Sequence, residues 1–210
     1  MEKAPFLTCS SKLRNHIGLG QFLDAPILDI KQAGPVPARA VLAWGRKPSA
    51  QKAAVFAKKM ALPLLQLEDG FVHSLGQGVL GVHSCSLVLD WKGIYYDAMQ
   101  PSDLENILAH DPEQQFSDQN LLERAARLIQ LITSQKISKY NNAPLELGHL
   151  NLPAGKKVLV VDQTAGDMSL KYGLVHAQSA ELMLAAALAE HPDATILLKT
   201  HPDVLAGKKQ

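Results

Sequence analysis

Residues able to do chemistry follow two short apolar segments in the last third of the chain. Asp167 closes the first stretch, 158–167, whereas Lys199 and His201 lie in the second, 196–203. A carboxylate aimed from a glycine-containing loop can attack an electrophilic carbon as a nucleophile. An imidazole beside an ammonium group can stabilise a developing anion, such as a departing phosphate. The two stretches therefore offer a nucleophile and an anion-binding pair.

A helix-like segment at about residues 178–190 separates the two apolar runs, which predicts a βαβ unit. The strands of such a unit are parallel and the crossover is right-handed, so both strand ends open at the same edge of the sheet. Open α/β sheets bind their ligands at that edge. We therefore expect Asp167 and His201, 34 positions apart, to be near neighbours in space.

Structural roles compete with the chemical ones at the same positions. Asp167 is equally suited to cap the segment that follows it. Ser179 begins the crossover helix, where it is either a phosphate contact or a simple N-cap. His191 and Pro192 repeat the His-Pro dipeptide but precede a strand, so we interpret them as a helix terminus.

Composition limits the possible classes of protein. The chain has 210 residues, of which 47% are hydrophobic, enough for one large globular domain or two small ones. A net charge of +1 and a pI near 7.8 give no reason to expect nucleic-acid binding. Only two cysteines are present, which argues for a reducing compartment, the cytoplasm. No apolar run approaches a membrane span, so any membrane role is expected to be peripheral.

Elsewhere the chain also alternates strands and helices. We expect the fold proper to begin after the Gly/Pro cluster at 34–37. The predicted elements of the first half are a strand at Val41–Trp44, a helix from an N-cap at Ser49 to about Met60, a strand at Leu64–Leu67 that ends at Glu68–Gly70, a hairpin of Ser86–Trp91 with Ile94–Tyr96, a capping box at Ser102–Glu105 and a helical apolar stripe from Leu121 to Ile132.

The predicted fold class is α/β, with two Rossmann-like lobes. Residues 1–142 form the N-terminal lobe, 143–157 a linker and 158–210 the start of the C-terminal lobe. Two parallel strands rarely stand alone as a sheet. We therefore expect the second lobe to be truncated and the chain to be part of a larger protein.

Seven short motifs, in one order, together resemble a known family. They are Trp44–Ser49, Leu67–Phe71, Leu87–Asp90, Gly93–Asp97, Ile137–Asn141, Val161–Thr164 with Asp167, and Lys199–Lys209. This pattern is similar to the bacterial capsule polysaccharide β-Kdo transferases, the KpsC/LipA-type proteins of capsule export systems. The resemblance implies a GT-B-like fold, in which residues 1–142 are the acceptor lobe and residues 158–210 the start of the nucleotide-sugar (donor) lobe. The implied activity is that of a retaining glycosyltransferase that moves the acidic sugar Kdo from CMP-β-Kdo to a Kdo linker on a lysophosphatidylglycerol anchor. The resemblance implies no cofactor, a location at the inner membrane surface, and contact with other capsule assembly or export proteins.

The resemblance also implies roles for individual residues. Asp167 becomes the nucleophile of a double displacement, and Glu68 or Asp69 becomes the general base, with Glu68 preferred. An Asp-Gly turn beside a solvated glutamate is the structural alternative at that position. The implied donor-binding residues are Gln163, Ser179, Lys199, His201 and Pro202, and the implied acceptor-binding residues are Arg46, His73 and Ser74.

Two departures from the family pattern bear on activity. The family continues after Glu-Asp-Gly-Phe with an Arg-Ser pair, but this chain has His73 and Ser74. Histidine cannot reproduce the bidentate pairing of arginine with a sugar carboxylate, so acceptor handling is expected to differ. Further donor-lobe motifs of the family are absent from the 210 residues, which favours an inactive fragment or an acceptor-binding module as the competing hypothesis.

The sequence leaves metal binding, the donor sugar and the linkage open. His73, His83 and Cys85 are conceivable zinc ligands, although no second ligand pair accompanies them. A different nucleotide sugar would make the protein another GT-B transferase or an epimerase. The Kdo linkage, 2→4 or 2→7, is undecided, although a match that begins near residue 40 favours the first transferase module of a longer protein.

Aromatic side chains that could stack on sugars are expected mainly to pack in the core. They are Trp44, Trp91, Tyr95 and Tyr96.

Overall fold

A computed structural model of the chain describes most of its residues. They are 3–32, 34, 37–72, 84, 86–110, 117–139, 146, 148–176, 178–201, 204 and 207. They form two compact units, one ending at Lys139 and the other covering the described residues from Glu146 onward. Most of the predicted linker, 143–157, belongs to the second of these units. Across the described ranges, no helix has the length and apolar composition needed to cross a bilayer.

The first unit is a five-stranded sheet with helices around it. Its elements are β1 (Phe6–Thr8), α1 (Ser11–Arg14), α2 (Leu19–Leu23), β2 (Ile27–Asp29), a 3-10 turn (Ile30–Gln32), β3 (Ala40–Trp44), α3 (Pro48–Lys59), β4 (Leu64–Asp69), β5 (Leu87–Asp90), α4 (Asp103–Ala109) and α5 (Gln119–Ser134). The strand order is β2-β1-β3-β4-β5. All neighbours are parallel except β5, which runs antiparallel to β4.

Alternation along β3 divides the core between the two faces of this sheet. Leu42 points into one cluster, which contains Phe6 and Leu65. Val41 points into the other, where three alanines of α3 lie against the sheet; they are Ala50, Ala53 and Ala57. Every residue of β3 is buried, as expected for a central strand covered on both faces. Small side chains on α3 let the helix approach the sheet closely.

The expectation that the fold begins after residue 37 is wrong. Strands β1 and β2 are part of the sheet, and β1 pairs in parallel with β3 in the register Phe6↔Ala40. Phe6 and Leu19 are fully buried in the core. The strands have only three residues each, too few for an alternating pattern to stand out in the sequence.

Two predicted boundaries also change. Helix α3 begins at Pro48 after an N-cap at Lys47, so Ser49 is not the cap. Proline is favourable in the first turn because its missing N–H has no helical partner there. Strand β4 extends through Glu68 to Asp69, two residues beyond the predicted end.

The predicted hairpin is also wrong. Strand β5 (Leu87–Asp90) pairs with β4, in the register Glu68↔Val88, and Ile94–Tyr96 is not a strand. The side chain of Asp90 stabilises the turn that follows β5. Its buried Oδ1 accepts backbone N–H bonds from Lys92 (2.9 Å) and Gly93 (2.7 Å), and both its carboxylate oxygens accept from Asp103 N–H at 3.1 Å.

Both helices at the end of the first unit follow the sequence prediction. The Ser102 hydroxyl accepts the Glu105 N–H at 3.0 Å and starts α4, which confirms the cap of the predicted box. The predicted stripe falls within α5 (Gln119–Ser134), as expected. Its large side chains are nevertheless exposed in the described part of the chain, including Leu128 and Ile129.

The second unit contains the predicted βαβ arrangement. Its elements are a 3-10 turn (Gly148–Leu150), β6 (Lys157–Val161), α6 (Met168–Tyr172), α7 (Ser179–Glu190) and β7 (Thr195–Lys199). Strands β6 and β7 pair in parallel in the register Val161↔Lys199, which confirms the predicted βαβ unit. His191 is the C-cap of α7, as predicted.

We predict that Asp90→Ala will destabilise the first unit by about 2–4 kcal/mol, because three backbone N–H groups lose a buried carboxylate acceptor. Chemical denaturation with far-UV circular dichroism measures the loss. Asp90→Asn is the matched control, because its side-chain oxygen can still accept these hydrogen bonds. Its loss of unfolding free energy should be less than half of the loss in Asp90→Ala. Equal losses in both variants would contradict this account.

Candidate functional site

A carboxylate and a phenol meet at the carboxyl ends of β3 and β4. Glu68 is the second-last residue of β4, and the Tyr96 hydroxyl donates to its Oε1 at 3.0 Å. The backbone N–H of Arg46, two residues after β3, donates to the same phenol oxygen at 3.0 Å. The phenol thus joins the end of one strand to a side chain of the next. We call Gly45, Arg46, Glu68, Tyr96 and Asp97 the Glu68 cluster.

Gly45 makes room for this contact. A β carbon at this position would clash with Oε1 of Glu68 and with the Tyr96 hydroxyl, and the backbone φ of +43° is itself unfavourable for other residues. Its N–H donates to the carbonyl oxygen of Leu67 at 2.8 Å, which continues the β3–β4 pairing. Only glycine therefore lets the turn after β3 approach Glu68 this closely.

Arg46 already has a partner within the cluster. Its guanidinium pairs with the Asp97 carboxylate at 2.5 Å, and the two side chains are 21% and 3% exposed. Asp97 also accepts the Met99 N–H at 2.9 Å, which fixes the loop that carries Tyr96. Arg46 therefore anchors this loop, and its predicted contact with an acceptor stays a prediction.

Burial changes the acidity of both groups in the central pair. Desolvation raises the pKa of Glu68, while the Tyr96 hydrogen bond and the Lys47 charge oppose that rise. Burial and the nearby Glu68 charge raise the pKa of Tyr96, so the phenol stays protonated at physiological pH. A carboxylate whose pKa is shifted towards neutrality by desolvation is typical of a general base.

Positive charge lies beside the cluster. The ammonium groups of Lys12 and Lys47 lie 5.9 and 5.8 Å from the centroid of the Trp44 ring. Trp44 is 9% exposed and packs in the core, as predicted, whereas Trp91 and Tyr95 are exposed. Of these two lysines, Lys47 is the one whose charge acts on the Glu68 carboxylate.

In the second unit, Asp167 caps a short helix. Its Oδ1 accepts both the N–H and the hydroxyl of Ser169 at 2.8 Å, and it is the N-cap of α6. The capping role that the sequence left open is therefore present. Capping holds the carboxylate in one orientation and leaves a nucleophilic role possible. Thr164 is completely buried in the same loop, and Gln163 is exposed.

Of the predicted donor-binding residues, Lys199 and His201 lie where β7 ends, at the same edge of the sheet as the end of β6. The carbonyl oxygen of Lys199 accepts the Asp162 N–H at 3.0 Å, so the chain leaves β6 and β7 side by side. His201, two residues beyond β7, is half-buried, and its carbonyl oxygen accepts the Val204 N–H at 3.0 Å. Ser179 is not an N-cap: Gln178 holds that position, and the Ser179 hydroxyl donates to the His176 carbonyl oxygen at 2.7 Å.

Several predicted residues lie outside the part of the chain that the structure describes. They are His73 and Ser74 of the acceptor prediction, Pro202 of the donor prediction, and His83 and Cys85 of the zinc hypothesis. Within the described residues, no three histidine, cysteine, aspartate or glutamate side chains are grouped so that they could hold a metal ion.

Sequence reasoning missed Gly45, Tyr96 and Asp97 as members of a site. The sequence predicts core packing for Tyr96, and it places Gly45 within the motif Trp44–Ser49 without a role of its own. The available signal was the Tyr95-Tyr96-Asp97 run shortly after a strand that ends in Asp90. Without the pairing of β5 with β4, nothing in the sequence places this run beside Glu68.

Comparison with known proteins agrees with this architecture. Among solved structures, the chain is similar to the β Kdo 2,4 transferase of Thermosulfurimonas dismutans KpsC, with a TM-score of 0.86 and 39% identity over 100% of this chain and 64% of that one. It is less similar to the β Kdo 2,7 transferase of the same KpsC, with a TM-score of 0.59 and 26% identity over 96% of this chain and 62% of that one. The predicted GT-B-like α/β fold class is confirmed by these similarities.

Curated relatives point the same way. The chain is 47% identical over 177 residues to the capsule polysaccharide modification protein LipA of Neisseria meningitidis serogroup A, covering 82% of this chain. It is 32% identical over 173 residues to the lipopolysaccharide-processing protein LpsZ of Rhizobium meliloti, again covering 82% of this chain. The chain spans about a quarter of the length of LipA (25%) and 39% of that of LpsZ.

A family match covers most of the sequence. Residues 39–210 match the family described as "Capsule polysaccharide biosynthesis protein", and this range contains the Glu68 cluster, Asp167 and His201. Strands β1 and β2 precede the matched range. The resemblance drawn from the seven motifs is thereby confirmed, and the chain belongs to the capsule polysaccharide biosynthesis protein family.

Proposed function

We propose that this chain provides the catalytic groups of a retaining β-Kdo transferase that acts in capsule polysaccharide biosynthesis. The observation that carries the proposal is the similarity to the β Kdo 2,4 transferase of KpsC, with a TM-score of 0.86 over the whole chain. Such a reaction needs two carboxylates. The candidates are the desolvated Glu68 near the end of β4 and the oriented Asp167 at the start of α6.

The linkage we propose is 2→4. Support comes from the contrast between the two transferases of KpsC, because the 2,4 enzyme is 39% identical to this chain and the 2,7 enzyme is 26% identical. The donor we propose is CMP-β-Kdo, and the acceptor is a Kdo residue on a lipid anchor, with lysophosphatidylglycerol as the lipid. Acting on such an acceptor would hold the protein at the inner membrane surface, alongside other capsule assembly proteins.

In the first step of the proposed reaction, a carboxylate oxygen of Asp167 attacks the anomeric carbon of Kdo. The bond from that carbon to the phosphate oxygen of CMP breaks, and its electron pair leaves with the phosphate. Lys199 and His201 stabilise the departing charge, with Gln163 and Ser179 as further donor contacts. A covalent glycosyl ester on Asp167 and CMP are the products of this step.

In the second step, the acceptor hydroxyl attacks the same carbon from the opposite face. Its proton passes to the Glu68 carboxylate, and the ester bond to Asp167 breaks and restores that carboxylate. Two inversions at one carbon give net retention. The proposal requires no metal or redox cofactor. Asp69 is the competing candidate for the base, but the pKa shift of Glu68 and its fixed partner favour Glu68.

A second candidate function is acceptor binding without transfer. This alternative is supported by the extent of the match, because the chain covers 25% of the length of LipA. The two functions differ in one observable: a transferase consumes CMP-β-Kdo and lengthens a synthetic Kdo-primed acceptor, whereas a binding module retains the acceptor unchanged. Replacement of CMP-β-Kdo by a UDP- or GDP-sugar tests the choice of donor in the same assay.

We predict that Asp167→Asn will abolish transfer, by roughly 10³-fold or more, because an amide is a poor nucleophile. Asparagine is as good an N-cap as aspartate, so the thermal midpoint should stay the same. Product formation with CMP-β-Kdo is the measurement. Intact-mass analysis in the absence of acceptor should show a sugar adduct on the wild-type protein and none on Asp167→Asn. Ser169→Ala is the matched control, expected to keep the N–H bond of the cap and most of the activity. An Asp167→Asn protein with normal transfer would contradict the assignment.

We predict that Glu68→Gln will reduce transfer by about 10²–10⁴-fold and will stabilise the fold at neutral pH. Desolvation raises the pKa of Glu68 in the folded state, so the ionised carboxylate destabilises the fold above that pKa. The stabilisation should fade as the pH falls through this raised pKa towards 4.5, the ordinary pKa of glutamate. The wild-type carboxyl is then neutral, as the glutamine amide is at every pH. The measurements are initial rates and thermal midpoints between about pH 4 and 8. Lower stability of the Gln variant at neutral pH would refute the argument.

A further inference from the structure

The Glu68 cluster assigns a role to a residue that has no place in the reaction just described. We propose that Tyr96 is a positioning residue for Glu68: its hydroxyl holds Oε1 of the carboxylate, so that Oε2 is the atom presented to the acceptor hydroxyl. The inference rests on the proposed function of Glu68 as general base. Tyr96 itself does not touch the reacting atoms.

The direction of each hydrogen bond follows from the chemistry of the donors. A backbone N–H can only donate, so Arg46 donates to the phenol oxygen at 3.0 Å. The phenol has one hydrogen, and it is directed to Oε1 of Glu68 at 3.0 Å. This polarity suits an ionised Glu68, which is the form that a general base needs.

The second carboxylate oxygen has far weaker contacts. Among the described residues, the hydrogen bond to Oε2 comes from the N–H of the adjacent Asp69, at a long 3.4 Å. Within the described part of the chain, the two oxygens therefore differ: the Tyr96 hydroxyl holds Oε1, and Oε2 receives only the long bond from Asp69. A substrate hydroxyl approaching Glu68 would find Oε2 as its acceptor.

The phenol is held by a rigid support. Asp97, the next residue, pairs with Arg46, and its N–H donates to the Ile94 carbonyl oxygen at 2.9 Å. Ile94 is fully buried, and Gly45 gives the phenol and the carboxylate the space that a β carbon would remove. The contacts of Ile94 and Asp97 therefore fix the backbone around Tyr96, and Gly45 leaves the space that its hydroxyl occupies.

Loss of the hydroxyl should change Glu68 in a defined way. Among the described residues, Tyr96, Lys47 and Asp69 act on Glu68, and Tyr96 is the one whose hydrogen bond holds Oε1. Tyr96→Phe would leave that oxygen half-buried without its donor, which disfavours the ionised form. The Glu68 pKa should therefore rise, and the carboxylate should lose its fixed orientation.

The decisive experiment is a titration of Glu68 followed by carboxyl carbon NMR on the 210-residue chain labelled with ¹³C glutamate, with Glu68→Gln to assign the resonance. Tyr96→Phe is expected to raise the Glu68 pKa relative to the wild type. Tyr95→Phe is the matched control, because Tyr95 is an exposed neighbouring phenol, and it should leave the Glu68 pKa unchanged. An unchanged Glu68 pKa in Tyr96→Phe would overturn the proposal, and this readout needs no turnover.

A second perturbation avoids dependence on how well Tyr96→Phe folds. Incorporation of 3-fluorotyrosine in the Tyr95→Phe background makes the phenol a stronger donor without removing it. The Glu68 pKa should then fall, opposite to the effect of phenylalanine. A rise or no change would count against a direct hydrogen bond from Tyr96.

Transfer kinetics separate this proposal from the proposed function. Tyr96→Phe should lower kcat by roughly tenfold with little change in KM, and should move the acidic limb of the pH–rate profile upward. If Glu68→Gln retains full transfer, the base role of Glu68 fails, whatever the titration shows. If Glu68→Gln is inactive while Tyr96→Phe matches the wild type in both titration and kcat, the base role stands and the positioning role of Tyr96 is wrong.

Discussion

The close approach at Gly45 is the constraint on which the Glu68 cluster depends. Strands β3 and β4 pair in parallel up to Trp44↔Leu67, and the Gly45 N–H extends that pairing to the Leu67 carbonyl oxygen. The next residue along β4 is Glu68, so its carboxylate emerges where the chain leaves β3. Because position 45 lacks a β carbon, the carboxylate and the Tyr96 phenol can both occupy the space beside the turn. The hydrogen bond between Tyr96 and Glu68 depends on this space.

The energetics of the cluster favour function over stability. Burial makes the ionised form of Glu68 costly, and one phenol hydrogen bond with a nearby ammonium compensates only in part. A chain selected for stability alone would have an apolar or neutral side chain there. The fixed loop behind Tyr96, held by Asp90 and by the Arg46–Asp97 pair, supplies the stability that keeps this arrangement in place.

The sequence was informative where a pattern is long or local. The βαβ unit of β6, α7 and β7, the cap at Ser102 and the helix containing Leu128 follow from periodicity and capping residues, which act over a few positions. Strands β1 and β2 could not be predicted, because a strand of three residues is too short to show a periodic pattern. The pairing of β5 with β4 could not be predicted because residues 70–86 separate the two strands in the sequence and no local pattern encodes the partner. The Glu68 cluster depends on that pairing, so the resemblance identifies Glu68 as a candidate base, whereas nothing in the sequence indicates Tyr96 as its hydrogen-bond donor.

The two units orient their carboxylates by different means, and the difference fits the proposed roles. Asp167 is held by the first turn of its own helix, through two donors of Ser169, a local arrangement set by three consecutive residues. These two bonds hold the carboxylate in one orientation, as an attack on a single carbon atom requires. Glu68 is held by a phenol from a distant part of the chain and is desolvated, which raises its proton affinity. A raised proton affinity suits a base, which must accept a proton, and a locally fixed orientation suits a nucleophile, which must reach one carbon atom.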